Sequence, residues 1–354
     1  MKKQQIAFVC NIDPGGITTV ISHLAASQSI KKEFELSLFV FKKSSYHSKV
    51  QQLKKQMAVD NQGTTTLIKN VFRLTSFLRS YQGAAVVFLG PLQILIARII
   101  KIMFHKKYQI ISWLQVSAAD PGIGNKIRAL KWADQHLAIS TGIKDELMHL
   151  GIAERKIQLV YNAVPRRERT IRPNPKQCTL VYIGRIFLDG QKNLRGLLTA
   201  LEKVPGNWEL QIFGDGPDFM DLQQFIAQSS VLGKRVKLAG WVADPFGELQ
   251  SANALLLNSN YEGFGLVLAE AMSYGIPCLS TDCPVGPNDI IKDNINGYLY
   301  PISDYQQFQQ KLATIVNGKK RFVPAEVKAS IAFLYDDQYD RRFIQALRRM
   351  LSNS

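Results

Sequence analysis

Ala254-Leu255-Leu256-Leu257-Asn258-Ser259-Asn260-Tyr261-Glu262-Gly263-Phe264-Gly265-Leu266-Val267-Leu268-Ala269-Glu270-Ala271-Met272 is the stretch on which the reading of this 354-residue chain turns. Residues Ala254–Asn258 form a short, nearly unbroken apolar run, as expected of a parallel strand covered on both faces. A glycine-bracketed turn follows, and a helix begins. Strand, turn and helix in that order are the repeating step of a doubly wound α/β sheet. Glu262 lies in the turn and Glu270 about two helical turns up, with seven residues between them. Backbone N–H groups near Phe264, Gly265 and Leu266 have no acceptor within the helix, so they would face a phosphate. Carboxylates on either side suit hydroxyl-rich groups flanking that phosphate. The plainer alternative is a helix-start glutamate with a second, structural one.

The same step recurs outward in both directions. In the first half, Ile6–Cys10, Glu35–Phe41, Ala84–Leu89, Gln109–Leu114, His136–Ile139 and Ile157–Tyr161 read as strands, with helical stretches such as Ile17–Ser29 and Leu92–Phe104 between them. Val164-Pro165-Arg166-Arg167-Glu168-Arg169 through Pro173-Asn174-Pro175 is charged, proline-punctuated and aperiodic, which fits a domain boundary. The alternation then restarts, with strands at Cys178–Ile183, Trp208–Phe213, Arg235–Leu238, Ala254–Asn258, Pro277–Ser280 and Gly297–Tyr300. In the tail, Phe343, Leu347 and Leu351 recur every fourth position and arginines fill the other face, so an amphipathic helix is expected. The fold class is therefore α/β, with two Rossmann-like doubly wound domains at 1–165 and 176–330 and a terminal helix in 331–354. Ligands of such sheets bind beyond the carboxyl ends of the strands.

Composition narrows the class. The formal charge is +16, and it is uneven: residues 1–165 hold 22 Lys+Arg against 9 Asp+Glu, and residues 166–354 hold 22 against 19. A basic half attracts nucleic acid, anionic membranes or acidic substrates, with general solubility as the plain alternative. The aromatic residues are not interleaved with the cations as in single-strand binders, so no nucleic acid is expected. Cys10, Cys178, Cys278 and Cys283 complete no metal site and read as small buried hydrophobes in a reducing cytosol. No secretory signal is read at the start. The apolar region Val86–Phe104 is broken by Gly90-Pro91, Arg98 and Lys101, so it reads as strand, turn and helix, not as a membrane span.

Three further turns carry candidate chemistry. Asp13-Pro14-Gly15-Gly16-Ile17 follows the first strand and opens a helix, where paired glycines let backbone approach an anion. A plain tight turn explains it equally well, and no Walker lysine follows. Tyr182-Ile183-Gly184-Arg185 ends a strand, and Lys192 stands at the next helix start. A forked guanidinium and a compact ammonium there could converge on one anion, or both could be solvated. Phe213-Gly214-Asp215-Gly216-Pro217 has Gly-x-Gly but Phe at 219, so it is a tight turn and not a dinucleotide fingerprint.

Together, Gly15-Gly16, Gly184-Arg185, Lys192, Gly214-x-Gly216, Gly240 and the Glu262-x7-Glu270 pair resemble the retaining glycosyltransferases of the GT-B fold, the large family 4. The resemblance covers almost the whole chain and is densest over 178–300. Asp282-Cys283-Pro284-Val285-Gly286-Pro287-Asn288-Asp289-Ile290-Ile291 with Asn296-Gly297 resembles bacterial hexosyltransferases that decorate cell-surface glycans, among them the lipopolysaccharide core galactosyltransferases. The resemblance implies two domains facing each other across a cleft, the first on the acceptor side and the second holding the nucleotide sugar. It implies that Arg185 and Lys192 neutralise the donor diphosphate and are catalytic, that Glu262 holds donor-sugar hydroxyls, and that Glu270 accepts from the ribose hydroxyls. Backbone at Phe264, Gly265 and Leu266 would meet phosphate, backbone near Trp241 and Val242 the base edge, and Gly15 and Gly16 the phosphates from the first domain. The family usually has a histidine after the fourth strand of the first domain. Here that place reads Ser112-Trp113-Leu114-Gln115, and none of His23, His47, His105, His136 or His149 falls there. Gln115 can hydrogen-bond a substrate hydroxyl but cannot titrate.

The implied activity is transfer of a hexose, galactose from UDP-galactose, to a cell-surface glycan or glycolipid such as lipopolysaccharide core. Retention implies front-face delivery of the acceptor hydroxyl, with the departing phosphate taking its proton. The UDP-sugar is a co-substrate, no other cofactor is expected, and there is no Asp-x-Asp motif, so no metal is expected. The acidic run Asp336-Asp337-Gln338-Tyr339-Asp340 reads as solvated. A hydrolase, phosphorylase or epimerase of nucleotide sugars, or a non-catalytic basic protein, is the alternative. Localisation is expected to be cytoplasmic and peripheral on the inner face of the membrane. Lys42-Lys43, Lys49 and Lys54-Lys55 form one basic cluster; Arg98, Lys101 and His105-Lys106-Lys107 form another, whose helix could lie on a membrane with its cations toward anionic head groups, or pack its apolar face on the sheet with its cations merely solvated.

Overall fold

The computed structural model describes residues 3–352, and the chain divides into two compact units, Met1–Ala163 with Asp337–Ser354, and Val164–Asp336. The first unit is built on seven parallel strands: β1 (Gln4–Cys10), β2 (Phe34–Val40), β3 (Ala58–Asp60), β4 (Ala85–Phe88), β5 (Gln109–Trp113), β6 (Gln135–Ala138) and β7 (Ile157–Leu159). They lie in the order β3-β2-β1-β4-β5-β6-β7. The expected strands are present to within a residue or two. β3 was not expected: it has three residues, lies at the sheet edge and is half solvated, so it carries no apolar run. The stretch expected as one helix, Ile17–Ser29, is two, Gly16–Ala26 and Gln28–Glu33, because the Ser27 hydroxyl takes the Ile30 amide at 3.2 Å and starts the second. Val86–Phe104 forms β4 and the helix Pro91–Met103 as read, and among the described residues no helix is long and apolar enough to cross a membrane.

The second unit has six parallel strands, β8 (Cys178–Ile183), β9 (Trp208–Phe213), β10 (Val236–Gly240), β11 (Ala254–Leu257), β12 (Cys278–Thr281) and β13 (Gly297–Tyr300), in the order β10-β9-β8-β11-β12-β13. Arg235, read as strand, instead ends a short helix, Leu232–Arg235. The strands β4, β8, β11 and β12 are buried almost end to end, as sheets covered on both faces require. All four cysteines are buried and free, and burial raises every thiol.

The tail helix Asp336–Ser352 packs with the first unit. Phe343 meets the Trp113 ring with centroids 5.4 Å apart, and Tyr339 stacks on Phe343 at 5.5 Å. The solvated reading of the acidic run fails at Asp340. This carboxylate is buried and accepts from the Ser27 hydroxyl at 2.5 Å, with the His23 imidazole at 2.8 Å. A helical face that meets another helix selects its polar partners in space, which a run of acidic letters cannot reveal.

The reading of Arg98 and Lys101 as lipid-facing is also corrected. Asp134, just before β6, takes Arg98 and Lys101 at 2.6 Å each, and Arg98 also donates to the Trp132 carbonyl at 2.9 and 2.7 Å. These bonds hold the Asp134 carboxyl below its ordinary range against its desolvation. The two cations are therefore inward anchors, and the exposed side of the Pro91–Met103 helix is apolar.

Candidate active site

In each unit the strand order reverses once, between β1 and β4 and between β8 and β11. Such a reversal leaves neighbouring turns diverging at the carboxyl edge, which is where open α/β sheets take ligands. In the second unit, the turns at that point are the ones after β8 and β11, and they carry Arg185, Lys192 and Glu262.

The two turns are stitched together by backbone and amide groups. Asn260 donates its backbone N–H to the Gln191 carbonyl at 2.8 Å and its side-chain amide to the Gly190 carbonyl at 2.6 Å. Asn258 donates to the Asn193 carbonyl at 2.8 Å, and the Tyr300 hydroxyl fixes Asn258 from below at 2.7 Å. Asn193 caps the helix Leu194–Glu202, its side chain accepting from the Gly196 amide at 3.2 Å. These bonds bring Lys192 Nζ to 2.5 Å from Glu262 Oε1, with Ser259 donating to the same oxygen at 2.6 Å. Both ion-pair side chains are mostly buried. The stacked donors leave Glu262 Oε2 with no hydrogen bond among the described residues.

Arg185 sits differently. It is exposed, makes no ion pair among the described residues, and lies 5.7 Å over the Phe187 ring. Its backbone is held by a close approach of two turns: a Cβ placed on Gly214 (φ +149°) would stand 1.9 Å from the Gly184 carbonyl oxygen, and one on Gly216 would stand 2.2 Å from that of Ile186. The Gly-x-Gly turn after β9 is thus a platform on which Gly184-Arg185-Ile186 rests. Ile186 also donates to the Asp215 carbonyl at 3.0 Å, and the Arg185 carbonyl accepts from the Tyr182 hydroxyl at 2.9 Å.

The helix Leu266–Ser273 starts at Gly265, which is left-handed (φ 79°) and offers no side-chain cap. The Leu268 amide is taken by the Gly265 carbonyl at 2.9 Å, which leaves the Leu266 and Val267 amides to face an anion, and the aligned peptide dipoles favour negative charge there. Gly286 (φ +100°) presses on Phe264, where a Cβ would meet the Phe264 carbonyl oxygen at 2.5 Å, so the turn preceding the helix is held by backbone packing. Glu270, half-buried on that helix, has its carboxyl pushed up to about 7 by burial, against the opposing pull of Arg167. Trp241 is exposed and Val242 half-buried at the carboxyl end of β10, and Phe246 beyond them stacks on Tyr274 at 4.9 Å.

Lys192 and Glu262 are thus in contact, with Phe264, Gly265 and Leu266 directly after Glu262. Arg185 has no direct bond to that pair. Ser259, Asn193, Asn258 and Asn260 were missed in the sequence. Clustered small polar residues at a strand end were a signal, but they resemble ordinary turn formers.

In the first unit, Gly15 (φ +143°) caps the helix Gly16–Ala26, and a Cβ at either glycine would meet nothing within 4 Å. Only the backbone angle requires glycine at 15; nothing crowds it. Gln115 stands two residues past β5 and accepts from Asn162 at 3.2 Å, its own Nε2 buried without a partner among the described residues. The loop around it is pinned by Glu146, which accepts from the Ser117 hydroxyl at 2.5 Å and the Ala118 amide at 2.9 Å. His136 lies within the sheet against Ser112 Oγ at 2.6 Å, and burial lowers it to about 4, so it is a neutral core group.

Known proteins resemble this chain in sequence and in fold. The family model for glycosyl transferases group 1 matches residues 177–318. A lipopolysaccharide 1,6-galactosyltransferase of Salmonella typhimurium is 32% identical over 346 residues, covering 94% of this chain and 95% of its own length. One from Escherichia coli is 32% identical over 293 residues, covering 80% of each. The solved apo structure of the lipopolysaccharide outer core galactosyltransferase WaaB matches with a TM-score of 0.84 and 29% identity, over 97% of this chain and 99% of that one. The chain belongs to the group 1 glycosyl transferases and is a glycosyltransferase of GT-B-like, two-domain α/β fold.

Proposed function

We propose that the enzyme transfers galactose from UDP-galactose, with retention at the anomeric carbon, to lipopolysaccharide core or a related cell-surface glycolipid. The observation that carries this reading is the Lys192–Glu262 pair at the β8/β11 reversal, next to the uncapped start of the Leu266–Ser273 helix. An anion drawn to those amides comes beside an ammonium and a carboxylate at once. The galactosyltransferase relatives support the choice of sugar and acceptor.

In the step proposed, the bond from the anomeric carbon to the β-phosphate oxygen breaks with its electron pair on the phosphate. Arg185, Lys192 and the helix amides meet that growing negative charge, the largest effect available in a pre-arranged site. The acceptor oxygen bonds to the same face of the anomeric carbon, and its proton passes to the departing phosphate. Glu262 holds the sugar hydroxyls, Glu270 the ribose hydroxyls, backbone near Val242 the base edge, and Phe264, Gly265 and Leu266 the phosphates. Gly15, Gly16 and Gln115 of the first unit are read as substrate-binding. No divalent ion takes part, because cations and amides fill that role. The enzyme works in the cytoplasm, held to the inner face of the membrane by its basic first unit.

The test is calorimetry against uridine, guanosine and adenosine diphosphate sugars in the presence of chelator, then transfer to a core glycolipid lacking galactose, with the product's anomeric configuration read by NMR. UDP-galactose should bind and yield an α-linked product under chelation. Preference for another base, an inverted product, or activity restored only by a divalent ion would each remove the corresponding part.

A further inference from the structure

Nine of the fourteen large apolar side chains exposed among the described residues fall between positions 67 and 132. Eight of them belong to three neighbouring elements of the first unit: the helices Leu67–Ser80 and Pro91–Met103, which pack on each other, and the 3-10 helix Gly124–Trp132, which packs on the second of these. The ninth, Phe104, directly follows the helix Pro91–Met103. On Pro91–Met103, one side enters the core through Ile94, Ala97 and Ile100, and Arg98 and Lys101 are tied to Asp134. What remains for water is apolar, with Ile99, Ile102 and Met103 each more than half exposed. A helix apolar nearly all round is at home when buried or in lipid, and here no other element of the unit covers it. Ile68 and Phe72 on the neighbouring helix, and Trp132 on the 3-10 helix, are further exposed apolar side chains of these elements.

The charge around this surface selects the occupant. Residues 61–119 contain seven Lys and Arg and no Asp or Glu; Arg73 is paired with Asp60, and Arg98 and Lys101 with Asp134, which leaves Lys69, Arg79, Lys106 and Lys107 outside those ion pairs. Exposed Lys107, Arg128 and Lys131 flank the apolar side chains, and Arg79 lies over the Phe104 ring at 4.8 Å. Two copies meeting here would bring like charges together. An anionic bilayer meets both features: head groups accept the cations, apolar side chains enter the acyl boundary, and Trp prefers the interface.

We propose that this apolar face, centred on Ile99, Ile102 and Met103 and rimmed by cations, inserts into the surface of an anionic lipid bilayer. The inference rests on the membrane-side reading above and names the element that performs it. Insertion brings a lipid-linked acceptor to the enzyme by confining both to one surface.

The experiment compares the whole protein with the variant Ile99→Ser/Ile102→Ser/Met103→Gln by sedimentation with phosphatidylglycerol-containing and pure phosphatidylcholine vesicles. A second variant, Met103→Cys, carries an environment-sensitive dye, which labels selectively because the four native thiols are buried. The triple variant should lose roughly tenfold or more in partition onto anionic vesicles. Its uridine diphosphate binding should be unchanged, and the dye should shift to the blue on anionic vesicles. Equal partition of both proteins, a dye that stays in water, or binding to neither vesicle overturns the proposal. So does a concentration-dependent dimer that the triple variant abolishes without any lipid binding. If vesicle insertion is seen but no nucleotide sugar binds either protein, the donor assignment fails and the membrane face stands.

Discussion

Arg185 and Lys192 are cations at the two ends of the turn after β8, and their surroundings give them different consequences. Lys192 is mostly buried and holds Glu262 at 2.5 Å, so its removal leaves a buried carboxylate with Ser259 as its remaining donor. Arg185 is exposed, and no carboxylate depends on it. Lys192→Ala should therefore lower turnover and also destabilise the fold, by roughly 1–3 kcal/mol for the stranded charge. Arg185→Ala should lower turnover about a hundredfold or more, with stability within about 0.5 kcal/mol of the parent. Steady-state kinetics with thermal unfolding of both variants checks this. Equal stability of the two would mean that Glu262 does not rely on Lys192, and normal turnover in both would remove the leaving-group role.

At the scale of elements, the site depends on how closely turns from neighbouring strands approach. The β9 turn supports the β8 turn through close glycine backbone and through bonds from Ile186 to the Asp215 carbonyl and from Leu188 to the Asp218 carboxylate, and a methyl at 214 would meet the Gly184 carbonyl oxygen at 1.9 Å. Neither partner is the flexible end of a side chain, so relief requires moving the segment that carries Arg185. Gly214→Ala is expected to destabilise by about 2 kcal/mol or more, since strain at a positive φ adds to overpacking. It should also raise the donor KM. Gly15→Ala has only its φ of +143° against it, with no neighbour within 4 Å, so its effect on stability should be smaller. A well-folded Gly214→Ala enzyme with the parent's KM would show that the platform does not position Arg185.

For the whole molecule, the raised Glu270 carboxyl predicts how stability responds to pH. Below about 4.5, the ordinary value, folded and unfolded chains both hold this proton, and the group contributes nothing. Between about 4.5 and about 7, the unfolded chain releases it while the folded chain retains it, so stability falls as pH rises. Above about 7, the loss is complete, at most roughly 3 kcal/mol, because the folded state then carries a desolvated charge. Glu270→Gln removes this slope without moving the contributions of other groups. Denaturant unfolding of parent and variant at pH 5 and pH 8 should therefore show the variant gaining relative stability at the higher pH. Under the role proposed for Glu270, bound nucleotide should reduce the difference, since ribose hydroxyls would then donate to the carboxylate. An identical pH dependence in the two proteins would mean that Glu270 titrates normally.

Much of this was legible in the chain itself. Strands such as Cys178–Ile183 and Ala254–Leu257 declare themselves because a strand covered on both faces must be apolar along its length. The glycine turns after β8, β9 and β11 are equally local, since few other residues tolerate their backbone angles or close approaches. Polar partnerships were not legible. Lys192 finds Glu262 across 70 residues of sequence, and Asp340 finds His23 across 317. Asp134 turns Arg98 and Lys101 inward and so leaves an apolar helix face in water. Hydrophobic periodicity records which side chains avoid water, a property each residue carries alone. The partner of a charge depends on which elements folding brings together, and that was decided only in three dimensions.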